Sequence, residues 1–327
     1  MIKKLFNNRN KVYLSWLASY AVVLFIPLII GSMLYIQSIK VISEEVNRAH
    51  DASLEQAKTV IDSNLLEIER VSSELAYNTN LKKLMYLSKN FEPGNFLVMH
   101  ELQRHIITIK NSNSNINGIY IYFKNGDYVL SNTKRFTSQT YDSFIPQEFG
   151  MTASEWLDIA NSGLSGQYKI IRVDQGNGSY SSKVVFFHPV YGANIKAPDA
   201  AVVILIDGEK LVEVLKNVQW TTDASISVID AENEFISSSN MEHLPEFMRY
   251  EYLDGIDTMF KSEYGGDDVA VTHVNSTFNR WKYVSVIPTK IFLEKVEYIK
   301  LLIAAYIAIC LLIGCIIAYY FSRRNYR

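Results

Sequence analysis

Two uninterrupted apolar runs, Val12–Ile36 and Leu301–Phe321, bracket a long stretch of mixed polarity, and neither run holds a charged side chain. At about 1.5 Å per helical residue each can cross a hydrocarbon core of about 30 Å, so both are expected to be transmembrane helices. After the first run the period becomes helical and amphipathic. Ile39, Ile42, Val46, Ala49, Ser53, Ala57, Val60, Asn64, Ile68, Val71 and Leu75 recur every three or four residues, predicting a stalk helix continuous with the span. Phe91-Glu92-Pro93-Gly94-Asn95 interrupts it, and a second helix is expected over Phe96–Lys110.

The period then changes to two. Ile116–Phe123 and Tyr128–Ser131 alternate around Lys124-Asn125-Gly126-Asp127, which predicts a hairpin. A short helix at Ala153–Asn161, strands at Tyr168–Val173, Lys183–Val190 and Ala201–Ile206, and a helix at Glu209–Val218 follow. A second set begins with a strand pair, Ala224–Asp230 and Glu234–Ser238. Two more strands, Asp268–Val274 and Arg280–Ile287, come after helical or loop material, and Lys290–Glu297 leads as a helix into the second span. This order describes an α+β protein with two modules in tandem. The expected division is a tail at 1–11, a span at 12–36, a stalk at 39–90, a membrane-distal module at 91–218, a membrane-proximal module at 219–298, a second span at 299–321 and a tail from 322 to 327.

Charge orients the chain. Lys3, Lys4, Arg9 and Lys11 precede the first span, Arg323, Arg324 and Arg327 follow the second, and neither tail has an acid. Residues from Ile39 to Tyr298 carry all 34 acids and a net charge of about −10. The positive-inside rule places both termini in the cytoplasm and residues 39–298 outside a plasma membrane. The first run is longer than the 7–15-residue core of a signal peptide, which favours an uncleaved anchor. Both cysteines, Cys310 and Cys315, fall in the second span, so the outer region has neither disulfides nor thiolate metal sites.

The run from Asn111 to Tyr122 into a tyrosine-rich strand, and Trp281-Lys282-Tyr283-Val284-Ser285-Val286-Ile287-Pro288 before the second span, resemble the double Cache sensor domain of bacterial receptors. The likeness extends over residues 39–298. The closing segment and the Ser322-Arg323-Arg324-Asn325-Tyr326-Arg327 tail are similar to those of two-span membrane AraC-type regulators and sensor histidine kinases. The resemblance implies two PAS-like antiparallel-sheet modules, a small extracellular ligand in the distal one, and a DNA-binding or kinase output continuing beyond Arg327. Amino-acid-binding members show Arg-x-Trp-Tyr where this chain has Ser154-Glu155-Trp156-Leu157, so an amino-acid ligand is not supported.

Neither a nucleophile elbow, a P-loop, a dinucleotide fingerprint nor a His-Glu-x-x-His pair is present, so no catalytic residue, cofactor or metal is assigned. Ligand sites are concave, aromatic-lined and carry a few fixed polar groups. The distal module concentrates such residues, and Tyr120, Tyr122, Tyr128, Trp156, Arg172, Asp174, His188 and Asp207 are the candidates. Alternation sets Tyr120 and Tyr122 on one face of their strand and Ile119, Ile121 and Phe123 on the other. If the aliphatic face packs on the stalk helices, the tyrosines face the pocket cover. Trp156 reads equally as a core plug or a ligand platform, Arg172 as an anion clamp or a rim charge, and His188 as a donor or a satisfied structural residue. Aromatic pockets suit sugar faces, making carbohydrate the first ligand expected. The stalk and spans suit a homodimer, and this region has no expected contact with nucleic acid. The competing reading is a non-signalling surface protein that binds a protein or the cell wall.

The orientation predicts that Ser181→Cys, in a background lacking Cys310 and Cys315, is labelled by a membrane-impermeant maleimide on intact cells. Labelling only after lysis overturns it.

Overall fold

The computed structural model describes residues 2–86, 93–164, 166–174, 180–192, 196–219, 224–230, 235–239, 260–264, 267–288 and 290–325. The helical or loop material expected before residue 260 lies outside them. Within them the chain divides into two compact units, one of residues 1–51, 261–270 and 287–327 and one of residues 52–260 and 271–286.

In the first unit the N-terminal part of helix α1 (Ile2–Ala76) meets helix α7 (Lys290–Asn325). A Cβ at Gly31 would lie 2.7 Å from the Ile307 side chain and 3.4 Å from that of Ile303. Glycine therefore permits the close approach of the two apolar helices. Both are long and apolar enough to cross a membrane. Phe25, Ile29, Met33 and Ile36 on α1, and Leu301, Leu312 and Ile316 on α7, are exposed.

The second unit begins with the rest of α1, helix α2 (Thr79–Met85) and helix α3 (Pro93–Ser112). The stalk expected to run unbroken to residue 90 ends at Ala76. Asn78 restarts the chain as an N-cap, its side chain accepting from the backbone N–H groups of Asn80 and Leu81. The buried stripe of α1 is Leu54, Ala57, Ile61, Leu65, Ile68, Val71 and Leu75. Val60 and Asn64 of the expected stripe are thus replaced by Ile61 and Leu65, one position on. The stronger apolar pair holds the inner face and the polar Asn64 turns toward its margin.

Six antiparallel strands form the larger sheet, in the order β3 (Arg135–Thr137), β2 (Tyr128–Ser131), β1 (Ile116–Phe123), β6 (Ala200–Ile206), β5 (Tyr180–Val190), β4 (Gln167–Asp174). The hairpin register pairs Phe123 with Tyr128 and Tyr120 with Ser131. Its turn closes through Asp127, whose φ of 48° is left-handed. A smaller sheet runs β8 (Phe235–Ser238), β7 (Ser225–Ile229), β11 (Lys282–Pro288), β10 (Asp267–Asn275), β9 (Phe260–Tyr264). Strands β3 and β9 exceed the expected set, as does helix α4 (Tyr141–Phe149), which contains Pro146. Pro146 sits where the sequence argues against a helix interior, and Gly150, at φ 74°, ends the helix by donating its N–H to the Pro146 carbonyl.

The aliphatic face of β1 packs where alternation predicts. Ile119, Ile121 and Phe123 share one core with Leu54, Ile61, Leu65 and Ile68 of α1 and Leu102 and Ile106 of α3, a core that also takes in Ile226, Val228, Trp281 and Tyr283.

A buried carboxylate interrupts that core. Asp62, on α1 and 8% exposed, accepts from Ser276 Oγ (2.7 Å), Thr277 N (3.0 Å), Thr277 Oγ1 (3.1 Å) and the Tyr283 hydroxyl (2.6 Å). Ser276 Oγ in turn accepts from the N–H groups of Phe278 and Asn279, shaping the β10–β11 turn around the carboxylate. Burial, and then the bond to Asp62, hold the Tyr283 phenol well above its ordinary pKa. Desolvating a carboxylate costs several kcal/mol, and four charge-assisted bonds offset that cost.

Asp62→Ala should lower unfolding stability by about 2–4 kcal/mol, because it strands buried donors, and Asp62→Asn should cost about half as much. Chemical denaturation of the two variants checks this. A midpoint unchanged from the parent in Asp62→Ala would mean that the turn is satisfied by water instead.

Candidate functional site

The opposite face of the larger sheet is aromatic. Tyr120 and Tyr122 of β1, Val129 of β2, Val185 and Phe187 of β5, and Ala201, Val203 and Leu205 of β6 form a second core. It is covered by α4 and by helix α5 (Ala153–Asn161). Thr152 caps α5 in a reciprocal box: Glu155 N–H donates to Thr152 Oγ1, and the Thr152 N–H and hydroxyl donate to Glu155 Oε2. That cap sets the pitch that turns Trp156 and Ala160 inward.

Trp156 is fully buried. Its ring meets Tyr122 edge-on at 5.7 Å, Phe187 at 5.9 Å and Phe149 at 5.6 Å. Tyr120 meets Phe149 edge-on at 4.9 Å and Phe144 at 5.8 Å. These offset and edge contacts are the favourable ones for ring quadrupoles. A Cβ at position 118 would stand 2.7 Å from the Tyr120 ring, so Gly118 lets that ring lie across the strand. Its hydroxyl then donates to Glu148 Oε1 at 2.5 Å, and Lys183 Nζ donates to the Glu148 carbonyl at 2.6 Å. The ammonium thereby meets a carbonyl in the last turn of α4, the negative end of the helix.

Burial raises the Tyr120 phenol far above its ordinary pKa, and the Glu148 bond and charge raise it further. Tyr141 is raised by burial first, then by Asp127 and Tyr122. Burial raises Tyr122 as well; a hydrogen bond with the Asn161 side chain opposes that shift, and Asp127 reinforces it. All three phenols are neutral at physiological pH and present hydroxyls, not phenolates.

Of the eight candidates, three come together here: Tyr120, Tyr122 and Trp156. Tyr128 sits in the stalk-side core, stacked on Phe123 at 4.8 Å with the Arg135 guanidinium 5.6 Å from its ring. His188 pairs with Val202, a residue of the stalk-side core, and burial lowers its pKa. Asp207 is a cap, accepting from Glu209 N–H at 3.0 Å at the start of helix α6 (Gly208–Val218). Arg172 and Asp174 occupy β4 in register with Ser182 and Tyr180, and their side chains lie outside the described residues. The sequence alone does not single out Tyr141, Glu148, Asn161 or Lys183. Tyr141, Ile145 and Phe149 do recur every four residues, a helical signal masked by Pro146.

No family model and no curated protein matches the sequence. Solved structures do match. The extracellular domain of vpHK1S-Z8, assigned as a histidine kinase, superposes with a TM-score of 0.50 at 11% identity, over 80% of this chain and 96% of that one. The ligand-binding domain of Mlp24 with asparagine gives 0.49 at 14% identity, covering 78% and 99%. The sensor domain of the V. cholerae histidine kinase DctB gives 0.46 at 13%, covering 75% and 98%. The chain shares the fold of that extracellular domain. What is shared is a long N-terminal helix with antiparallel sheets.

Trp156→Ala should destabilise by about 3–5 kcal/mol, the usual cost of emptying a buried aromatic site, while Trp156→Phe keeps most of the packing. Thermal melts of both variants compare these outcomes. Equal stability of Trp156→Ala and the parent would show a ring held loosely on the face.

Proposed function

We propose that this chain is a membrane-anchored sensor. A small extracellular solute binds on the aromatic face beneath α4 and α5, and the signal passes through the second span to a cytoplasmic DNA-binding or kinase module. The observation that carries the reading is the division of one sheet between two jobs. Its aliphatic face is committed to the stalk helix, and its aromatic face keeps hydroxyl, indole and amide groups in a buried setting. Apolar rings with a few convergent polar groups are the usual composition of a small-molecule site.

The fold shared with an extracellular kinase domain supports the same reading, as do two helices able to span a membrane and the basic tails around an acidic loop. A homodimer through α1 and the spans fits the arrangement. The role of the site is recognition, with no bond-making step assigned to it. A ligand can signal only through different affinity for two states, and a coupling of about 1–3 kcal/mol is typical. The β1 strand is the natural carrier, because its alternate residues belong to the ligand face and to the stalk-side core.

The test joins residues 1–327 to a cytoplasmic histidine-kinase module. Autophosphorylation of the chimera in vesicles should change about fivefold or more on addition of an extract of small solutes, the scale of that coupling. The response should vanish in the double variant Tyr141→Phe/Trp156→Phe. A constant output with extract, alongside an intact fold, favours the surface-binding alternative.

A further inference from the structure

Three polar atoms on the aromatic face are buried without a hydrogen-bond partner: the Tyr141 hydroxyl, Trp156 Nε1 and Asn161 Oδ1. Tyr141 and Trp156 are themselves at least nine-tenths buried. Each is linked to Tyr122: Trp156 meets its ring edge-on, the Asn161 amide donates to its hydroxyl, and the Tyr141 phenol interacts with it electrostatically. Buried polar groups are nearly always paired, so three orphans around one ring call for an occupant.

Their chemistry defines it. An indole N–H only donates, so the occupant presents an acceptor to Trp156. The Asn161 amide is oriented by Nδ2, which donates to the Leu157 carbonyl at 2.7 Å, and this leaves Oδ1 as an acceptor that requires a donor. An ammonium offers no acceptor to the indole. A carboxylate offers no donor to Asn161 and meets a field of its own sign, and a free amino acid, whose ammonium could serve Asn161, still brings its carboxylate into that field. Asp127 acts on both Tyr122 and Tyr141, and Glu148 holds the Tyr120 hydroxyl. Two ammonium groups lie on this face among the described residues: Lys183 is turned to the Glu148 carbonyl, and the exposed Lys169, opposite Val185, acts on Glu155 at the outer edge. A hydroxyl donates and accepts without charge.

We infer that this face takes an uncharged polyhydroxylated solute, a sugar or polyol, and discriminates against free amino acids and carboxylates. Tyr141, Trp156 and Asn161 are the groups that read its hydroxyls. The inference rests on the reading of this face as the ligand site.

The experiment follows the melting transition of the 327-residue chain in nanodiscs with three sets of probes. The first holds D-glucose, D-xylose, glycerol and myo-inositol, the second glycine, L-asparagine, acetate and succinate, and the third ethanolamine and betaine. At saturating concentration at least one member of the first set should raise the transition by about 2–8 °C, and the other two sets should leave it unmoved. Tyr141→Phe and Trp156→Phe should each weaken that titration about tenfold, the loss of one hydrogen bond. Without ligand, Tyr141→Phe should melt about 1–4 °C higher than the parent, because it removes a stranded polar group.

A charged probe that stabilises the parent and loses its effect in Tyr141→Phe or Trp156→Phe overturns the uncharged class and leaves the site standing. A sugar or polyol that stabilises the parent and both variants equally overturns the site itself. Silence from every probe, or a ligand-free Tyr141→Phe that melts lower than the parent, overturns the inference.

Discussion

A single carboxylate ties the stalk helix to the smaller sheet. Asp62 lies 214 to 221 residues from its partners in sequence, yet four donors from the β10–β11 turn and from Tyr283 converge on it. Apolar packing alone would allow α1 to slide or rotate against its neighbours at small cost, because dispersion contacts are numerous and weakly directional. Hydrogen bonds to a buried charge are directional and costly to break. They fix the rotational setting of α1, and so which stalk residues meet β1 and which meet Trp281 of the smaller sheet's border.

With α1 held, the larger sheet can be specialised by face. Ile119, Ile121 and Phe123 contribute shape and burial to the stalk-side core, while Tyr120 and Tyr122 contribute rings and hydroxyls to the other. A strand of period two makes this separation without any insertion or extra element. Neighbouring strands follow it in register: Val202 and Ile204 of β6 face the stalk, and Ala201 and Val203 face the aromatic side. The small Ala201, opposite Tyr122, leaves room for that large ring.

Much of this is legible in the chain itself, because period and punctuation are local signals. The two apolar runs, the Asn-Gly hairpin and the alternation of β1 all depend on residues a few positions apart. What escapes depends on distance. A lone Asp on a helix reads as a solvated charge until the turn that surrounds it is in place, so Asp62 carries no signal. Tyr128 joins the stalk-side core because register sets it opposite Phe123, and pairing is a property of two strands. Asp207 followed by Gly208 and Glu209 has the form of a helix cap, and that local reading outweighs a role in binding. Helix α4 is hidden by Pro146, and with it Tyr141 and Glu148.

The order of the larger sheet leaves β3 and β4 at its two margins. Marginal strands carry unpaired backbone groups that invite a second chain to add on. Here β3 is three residues long and opens with Arg135, and β4 has Lys169 and Arg172 within its eight residues. Short length on one side and repeated positive charge on the other oppose strand-to-strand stacking of copies crowded together. Self-association through the margins of the sheet is thereby disfavoured.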